Sequence, residues 1–381
     1  MDERPPEMEI VVIDAAFWNG KRVFLTGHTG FKGAWMSLLL GTLGAKVFGY
    51  ALAPDAGNGI FRAAGVEGDV HHRIGDIREL AVLRNALAEA KPDIVIHMAA
   101  QALVRLSYAE PVETYSTNVM GTVNVLEAAR HVGGIQAVVV VTSDKCYENI
   151  GAAAGYRETD RLGGHDPYSN SKGCAELVTS SYRSSFFGGA RAPHVASARA
   201  GNVIGGGDWA EDRLVPDAVR AFSAGQPLRI RSPRAIRPWQ HVLDPVLAYL
   251  LLAERLVKDG EKFAEAWNFG PAPASEVPVE RIVTGLIQQW GNGARWEQDG
   301  GEHPHEAAYL KLNCAKALAQ LGWQPLIDLD RALELTIAWY VSQQKGADMR
   351  SVSLSQIRSV LSAIPQDGSS AALKSAGSSA H

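Results

Sequence analysis

The sequence predicts an α/β protein: a doubly wound parallel sheet with a smaller α/β lobe attached. Three observations carry that expectation. The apolar run Val23-Phe24-Leu25 breaks at Gly27, Gly30 and Gly33 and resumes as an amphipathic stretch over 35–43 that stops at Gly44, which reads as strand, tight turn and helix. Apolar runs and helical-period runs then alternate several times, the signature of strands joined by crossover helices. Polar groups collect where the strands should end, at 27–33, Asp76, Ala99-Ala100 and Ser143-Asp144-Lys145. In an open α/β sheet those carboxyl ends are where ligands bind.

Taken in order, a second strand covers 46–50, and a Gly- and Pro-rich loop leads to Gly75-Asp76-Ile77. Helical spacing over 80–90 precedes a strand, Asp93 onward, that runs into the small-residue turn at Ala99 and Ala100. A long helix is expected over 111–131, with Val112, Tyr115, Val119, Val123 and Leu126 on its apolar face. Val138-Val139-Val140-Val141 is a β-branched run that suits a buried parallel strand. A helix over 168–187, a strand over 195–198, a helix near 216–224, a strand at 267–270 and helices over 279–290 and 332–340 complete the pass. Residues 18–202 with about 236–270 form the dinucleotide-binding domain on this reading, and about 203–235 with 271–345 form the substrate lobe. Residues before Trp18 read as an extension in which 10–13 could add an edge strand. The Ser-, Ala- and Gly-rich stretch 365–381 reads as a disordered tail.

At 381 residues with a net charge of -4, the chain can bury a large core and shows no basic footprint for nucleic acid or membrane. No apolar run reaches the roughly 18 residues of a membrane span. Cys146, Cys174 and Cys314 are too scattered for a disulfide framework or a zinc-ligand pair, which points to reduced thiols in the cytoplasm. His303 and His305 flank Pro304 beside Glu302 and Glu306, but no metal is assigned to them.

Three glycines before a helix let the backbone approach a phosphate closely, and the helix start offers free N–H groups and a positive dipole end. A dinucleotide pyrophosphate is the natural guest, held by the Rossmann turn 27–33. Further along, Tyr168 and Lys172 stand at i and i+4 on one helix face. A tyrosine that works as a base near neutral pH needs a pKa well below about 10, and a nearby ammonium favours the phenolate. Ser143 ends the buried valine strand beside them.

Thr26 to Gly33, His97-Met98-Ala99-Ala100-Gln101, Thr142-Ser143-Asp144-Lys145-Cys146-Tyr147 and Tyr168-Ser169-Asn170-Ser171-Lys172 together resemble the extended short-chain dehydrogenase/reductase superfamily. Within it the likeness is to the CDP-glucose branch of the nucleotide-sugar 4,6-dehydratases. It runs from about residue 18 to 340 and takes in the stretches 199–209 and 236–244. The resemblance implies a lyase using NAD. Tyr168 would take the proton from the sugar O4 as hydride leaves C4, Lys172 would hold the nicotinamide ribose, and Ser143 would bind O4. Water then leaves across C5 and C6, and hydride returns to C6. Relatives of the dTDP-glucose branch carry an Asp-Glu pair where this chain has Asp144-Lys145, so Asp144 would keep the acid role. Lys145 would either take the C5 proton, for which it must be neutral, or stay charged and stabilise the enolate.

The cofactor set implied is Gly27, His28, Thr29, Gly30, Phe31, Lys32, Gly33, Asp76, Ile77, Ala99, Ala100, Gln101, Asn118, Tyr168 and Lys172. Asp76 either accepts from adenine or is a turn residue. Asn118 either braces the strand ends or caps a loop. His28 and Lys32 are either ligands or solvated turn cations. Arg105, Asn202, Arg213, Leu214, Arg231, Arg237 and Tyr309 form the substrate side, where guanidinium forks suit a diphosphate. Trp239 reads as core. The second strand ends Gly49-Tyr50-Ala51-Leu52, without the acid that binds a ribose 2′-hydroxyl, and Asp55 behind Pro54 is the next acid. No arginine in that stretch answers a 2′-phosphate either. The expected partner is CDP-glucose, and the expected assembly a homodimer or homotetramer through the helices over 111–131 and 168–187. Another nucleotide-sugar dehydratase or an epimerase is the rival enzyme. A non-catalytic dinucleotide sensor is the rival of another class, and it would have no need of Ser143, Tyr168 and Lys172.

Overall fold

A computed structural model describes residues 13–55, 57–189, 191–291, 293–301 and 310–364. The expected strand at 10–13, Tyr309, the histidines at 303 and 305 and the tail from 365 lie wholly or mostly outside the described residues.

After a short helix α1 (Ala15–Trp18), capped by Asp14, the chain enters β1 (Arg22–Thr26), α2 (Phe31–Thr42) and β2 (Lys46–Ala51). Next come α3 (Ile60–Ala63), β3 (Val70–Ile74), α4 (Leu80–Ala90) and β4 (Ile94–His97). Then follow α5 (Val104–Ala109), α6 (Pro111–Tyr115), α7 (Gly121–His131), β5 (Ala137–Val141) and α8 (Pro167–Phe186). A π-turn, Ser116–Met120, joins α6 to α7, so the long helix expected over 111–131 is one rod with a bulge that carries Asn118. The second half holds β6 (His194–Ala200), β7 (Asn202–Ile204), α9 (Leu214–Ser223), β8 (Leu228–Ile230), β9 (Ile236–His241) and α10 (Leu243–Asp259). It closes with β10 (Ala266–Phe269), β11 (Glu276–Pro278), α11 (Val279–Trp290), β12 (Trp296–Gln298), α12 (Leu329–Gln344) and α13 (Met349–Ala363).

Among the described residues, seven strands form a sheet in the order β10-β6-β5-β4-β1-β2-β3, and every neighbouring pair is parallel. The order reverses between β1 and β4, so the crevice beyond Thr26 and His97 is the topological switch point. The doubly wound sheet expected from the sequence is therefore present. Two small sheets stand apart from it, β7-β9-β11 and β8-β12.

The sheet is covered on both faces. Phe24, Val95, Val138 and Val140 pack with α4 and α7 residues such as Leu83 and Val125. The opposite faces, with Val23, Leu25, Ile96 and Val139, join one continuous core with Trp35, Leu250, Ile282, Leu333 and Trp339. That continuity ties the second lobe to the sheet. At its centre, a Cβ on Gly206 would lie 2.0 Å from the Trp339 ring, so the chain after β7 can pass beneath α12 only without a side chain there.

Several elements escaped the sequence reading, most of them short, and β3, α5, α10 and α13 show why. Strand β3 is a polar edge strand (Val-His-His-Arg-Ile) without an alternating apolar signal. Helix α5 is short, and α13 interleaves its apolar positions with serines; α10 is so thoroughly buried that its pattern lacks a polar face.

Candidate active site

The glycine turn closes as the spacing requires. Gly27 adopts φ +78, and a Cβ there would come 2.7 Å from the Ala99 nitrogen. A Cβ on Gly33 would meet the Gly27 carbonyl oxygen at 2.1 Å. Gly30 is the N-cap of α2 and supplies no side chain to its first N–H groups, which leaves an uncapped, positive helix end beside the turn. This is a cradle shaped for a pyrophosphate, and the residues present fit a dinucleotide.

The histidine and lysine of this turn are not solvated cations. His28 is fully buried, with Nε2 2.6 Å from His72 Nδ1, and burial together with His72 pushes its pKa down to about 4. Its ring fills the space a side chain at Gly49 would need, since a Cβ there would lie 2.4 Å away. That packing explains a glycine near the end of β2. Lys32 turns its ammonium inward, 5.9 Å from the Tyr249 ring centre. Burial, aided by Lys172 and Arg213 and opposed by Asp144 and Asp208, pushes Lys32 down to about 7. Thr29 hydrogen-bonds the Leu52 carbonyl oxygen at 3.0 Å, and Phe31 packs near Gly205.

A relay of polar side chains braces the strand ends. Thr26 Oγ1 accepts from the Met98 and Ala99 nitrogens, so its own proton goes to His97 Nδ1 at 2.7 Å. His97, held neutral by burial, then presents its Nε2 proton to Thr122 Oγ1 at 3.2 Å, and Thr122 donates to the Asn118 carbonyl oxygen. The Asn118 side chain accepts from the Gln101 nitrogen at 2.8 Å and donates to the Gln101 carbonyl oxygen and to Ser171 Oγ. Of its two expected roles, the brace is the one the geometry displays.

At the far edge the Asp76 carboxylate is committed to Arg78, whose guanidinium reaches it at 2.5 Å and pairs also with Glu113. Ile77 packs against Gly121 in the core. Arg78 was missed by the sequence reading. So was Arg62, which α3 swings back to the carbonyl oxygens of Pro54 and Asp55 at 3.2 and 2.8 Å. An arginine therefore does reach the loop after β2, although none lies within the stretch that ends the strand.

The chemical centre lies at the end of β5. Ser143 Oγ accepts from the Lys145 nitrogen at 3.2 Å and donates to Asp144 Oδ1 at 2.9 Å. Asp144 is buried, and its Oδ2 has no hydrogen-bond partner among the described residues. A Cβ on Gly201 would stand 3.2 Å from that oxygen, so the glycine keeps the carboxylate accessible from β6. Lys145 Nζ lies 3.6 Å from Asp144 Oδ1 and 3.4 Å from Asn202 Oδ1. Tyr168, at the first turn of α8, is fixed by its backbone nitrogen donating to Ser107 Oγ at 3.1 Å. Ser143 lies near enough to its phenol to favour the phenolate, and Lys172 stands one turn on along α8.

The Tyr168–Lys172 relation differs from expectation. Lys172 Nζ points to the Val141 carbonyl oxygen at 3.5 Å, and burial pushes its pKa down to about 8 while Glu176 opposes the shift. Tyr168 is pushed up to about 12 by burial; Ser143 and the Arg213 charge work in the other direction. Arg213, just before α9, is a cation that acts on the phenol besides the expected Lys172. The i, i+4 spacing places two side chains on one face, but their ends follow the charges around them. Tyr249 of α10, buried with its hydroxyl unpartnered among the described residues, also faces Tyr168 and Asp144 and was not foreseen.

Behind the centre, Glu176 and Arg199 form a buried ion pair at 2.7 Å. Glu176 also accepts from Thr142 and Ser197, while Arg199 donates to Tyr147 Oη at 2.6 Å. Tyr147 in turn donates to Asn268 Oδ1 at 2.7 Å, which anchors the turn after Lys145 to β10.

On the substrate side, Arg105 and Arg231 both pair with Asp212, Arg213 pairs with Asp208 at 2.9 Å, and Arg237 is buried near its own strand. Leu214 opens α9. Trp239 is core, as expected. Among the described residues no group of three or more side chains suits a metal, and the three cysteines are free. No described helix is long and apolar enough to cross a membrane.

A profile of the GDP-mannose 4,6-dehydratase family matches residues 24–336. The chain belongs to this family. A CDP-glucose 4,6-dehydratase of Salmonella typhimurium is 53% identical over 92% of this chain and 99% of its own length. A dTDP-glucose 4,6-dehydratase of Xanthomonas campestris is 25% identical over 84% of this chain and 93% of the relative. Among solved structures, DesIV, a dTDP-glucose 4,6-dehydratase of Streptomyces venezuelae solved as a double mutant with NAD and DAU bound, superposes with TM-score 0.69 at 26% identity, covering 86% and 99% of the two chains. The epimerase Mth375 of Methanothermobacter thermautotrophicus shares the fold, with TM-score 0.75 at 24% identity over 88% and 96%. Family members thus span dehydratases of several nucleotide sugars, and the residues at the end of β5 are where their chemistry must be read.

Proposed function

We propose that this protein is a CDP-glucose 4,6-dehydratase, a lyase that holds NAD and converts CDP-D-glucose to CDP-4-keto-6-deoxy-D-glucose. The observation that carries the reading is the Asp144–Lys145 pair beside Ser143 and Tyr168, in a chain 53% identical to a protein of that activity. NAD supplies a hydride acceptor at C4 and a donor at C6. The turn 27–33, Ala99, Ala100, Gln101 and Lys172 hold it, with Asp76, Ile77 and Asn118 shaping the wall behind.

Tyr168 takes the O4 proton, aided by Ser143 and the Arg213 charge, both of which favour the phenolate against burial. Asp144 protonates the departing C6 hydroxyl from the oxygen that no described group occupies. Lys145 stabilises the charge that builds on O4 as a water takes the C5 proton. Both of its polar contacts are acceptors, the Asp144 carboxylate and the Asn202 amide oxygen, so its nitrogen acts as a donor there. Arg105, Arg231 and Arg237, with Asn202 and Leu214, bind the nucleoside diphosphate, and Tyr309 belongs to the same set.

The two-lobe division, 18–202 with 236–270 against 203–235 with 271–345, goes with this reading. So does a homodimer or homotetramer formed through the 111–131 rod and α8. Val112 and Met120, 81% and 52% exposed, line a shallow apolar groove there, and Leu177 of α8 is 60% exposed. The free cysteines favour the cytoplasm as its compartment.

Substrate deuterated at C4, turned over in ordinary water, tests the chemistry. The product should lose one water, carry the deuterium at C6 and hold a solvent proton at C5. Deuterium lost to solvent, or a product that keeps its C6 oxygen, would assign the protein to epimerase or reductase chemistry instead. Parallel runs with dTDP-, GDP- and UDP-glucose test the base.

A further inference from the structure

The segment between β7 and α9 carries an unusual residue just before the helix. Asp212 has a left-handed backbone, φ 59, which among the described non-glycine residues only Lys91 shares. Its carboxylate Oδ1 receives Arg231 Nη2 at 2.7 Å and Arg105 Nη1 at 2.9 Å. These guanidinium groups come from opposite walls: Arg105 from α5, at the carboxyl edge of the main sheet, and Arg231 from the turn after β8 in the second lobe. The next residue is Arg213, paired with Asp208 and facing Tyr168. The other charges nearby, Asp217 and Arg220, satisfy each other at 2.5 Å.

An anionic oxygen between two guanidinium forks has the charge and geometry of a phosphate oxygen. We infer that Asp212 is a built-in competitor for the substrate's diphosphate: it holds Arg105 and Arg231 in the free protein, and a nucleoside diphosphate takes both from it. This rests on the proposed role of those arginines in substrate binding. Displacement releases the carboxylate from both walls and frees a left-handed turn directly before Arg213. Diphosphate recognition is thereby coupled to the position of a cation that faces the catalytic tyrosine. The pairs are weak enough to exchange, because the three side chains remain 43%, 32% and 37% exposed for Arg105, Arg231 and Asp212.

Asp212→Asn isolates the charge, since asparagine tolerates the left-handed region as well as aspartate does. Two half-exposed pairs should cost the incoming diphosphate roughly a factor of 3–10 in affinity. Calorimetric titration with CDP should therefore show binding tightened by that factor in Asp212→Asn and also in Asp212→Gly, which relieves the backbone as well. Cytidine, which carries no phosphate, should bind the variants and the unaltered protein equally. Unchanged or weaker CDP binding by both variants would overturn the inference, and so would an equal gain for cytidine, which would mark a change in the base pocket. The underlying reading fails separately: if Arg231→Gln leaves CDP affinity intact, or the unaltered protein does not dehydrate CDP-glucose, the arginines are not the diphosphate site.

Discussion

Replacing Lys145 by methionine tests the elimination step directly. The lysine ammonium stands 3.6 Å from Asp144 Oδ1 and 3.4 Å from Asn202 Oδ1, and its side chain is 29% exposed. Its partner Asp144 is buried, so loss of the ammonium should cost at most about 3–5 kcal/mol of folding stability, and circular dichroism checks that the variant is folded. The catalytic cost is separate. A donor aimed at a developing oxyanion contributes about 10²–10³ in rate, or about 3–4 kcal/mol of barrier. Oxidation at C4 draws on Tyr168 and Ser143, which Lys145 contacts only through its backbone nitrogen, and should be nearly unaffected. The variant should oxidise CDP-glucose and stall, so stopped-flow absorbance should show reduced nicotinamide accumulating while mass analysis shows little loss of water. Lys145→Arg sharpens the assignment: arginine keeps the charge but cannot serve as a base. It should retain a measurable part of the activity, whereas a base would be lost equally in both variants. Dehydration at the normal rate by Lys145→Met, or no oxidation despite normal substrate binding, would refute the reasoning.

Tyr168→Phe should bind CDP-glucose yet form no reduced nicotinamide, with turnover down about 10²–10⁴-fold. Because burial pushes the Tyr168 phenol up to about 12, single-turnover C4 oxidation by the unaltered enzyme should rise with pH across the neutral range as the phenolate fraction grows. Arg199→Met strands the buried Glu176 carboxylate and should lower stability by about 3–5 kcal/mol, read as the urea midpoint, while Arg199→Met with Glu176→Gln should recover most of it. Equal losses in the single and double variants would mean the pair is not the source. Asp244 is raised to about 7 by burial although its Oδ1 accepts from the Leu326 nitrogen at 2.8 Å. A raised carboxyl favours the protonated fold, so its contribution is complete near pH 4 and is lost as pH climbs to 7, by roughly 4 kcal/mol. Asp244→Asn should flatten that decline, and an unchanged pH profile of the denaturation midpoint would count against it.

The sequence by itself determined what short-range spacing can encode. Gly27, Gly30 and Gly33 between a strand and a helix, the valine run ending at Ser143-Asp144-Lys145, and Tyr168 one turn before Lys172 each lie within a few residues of their own signal. Backbone geometry leaves such stretches little choice. Alternating strand and helix then gave the parallel sheet, because right-handed crossovers restrict the order. The tertiary structure alone decided where the charged ends go. Lys172 turned to Val141 and Glu176 instead of Tyr168, Lys32 folded inward under the site, and His28 lost its charge against His72. Asp212 gathered arginines from two separate elements. Burial and long-range charge govern those positions. Both arise from segments distant in sequence, such as α10, which supplies Tyr249 beside Tyr168.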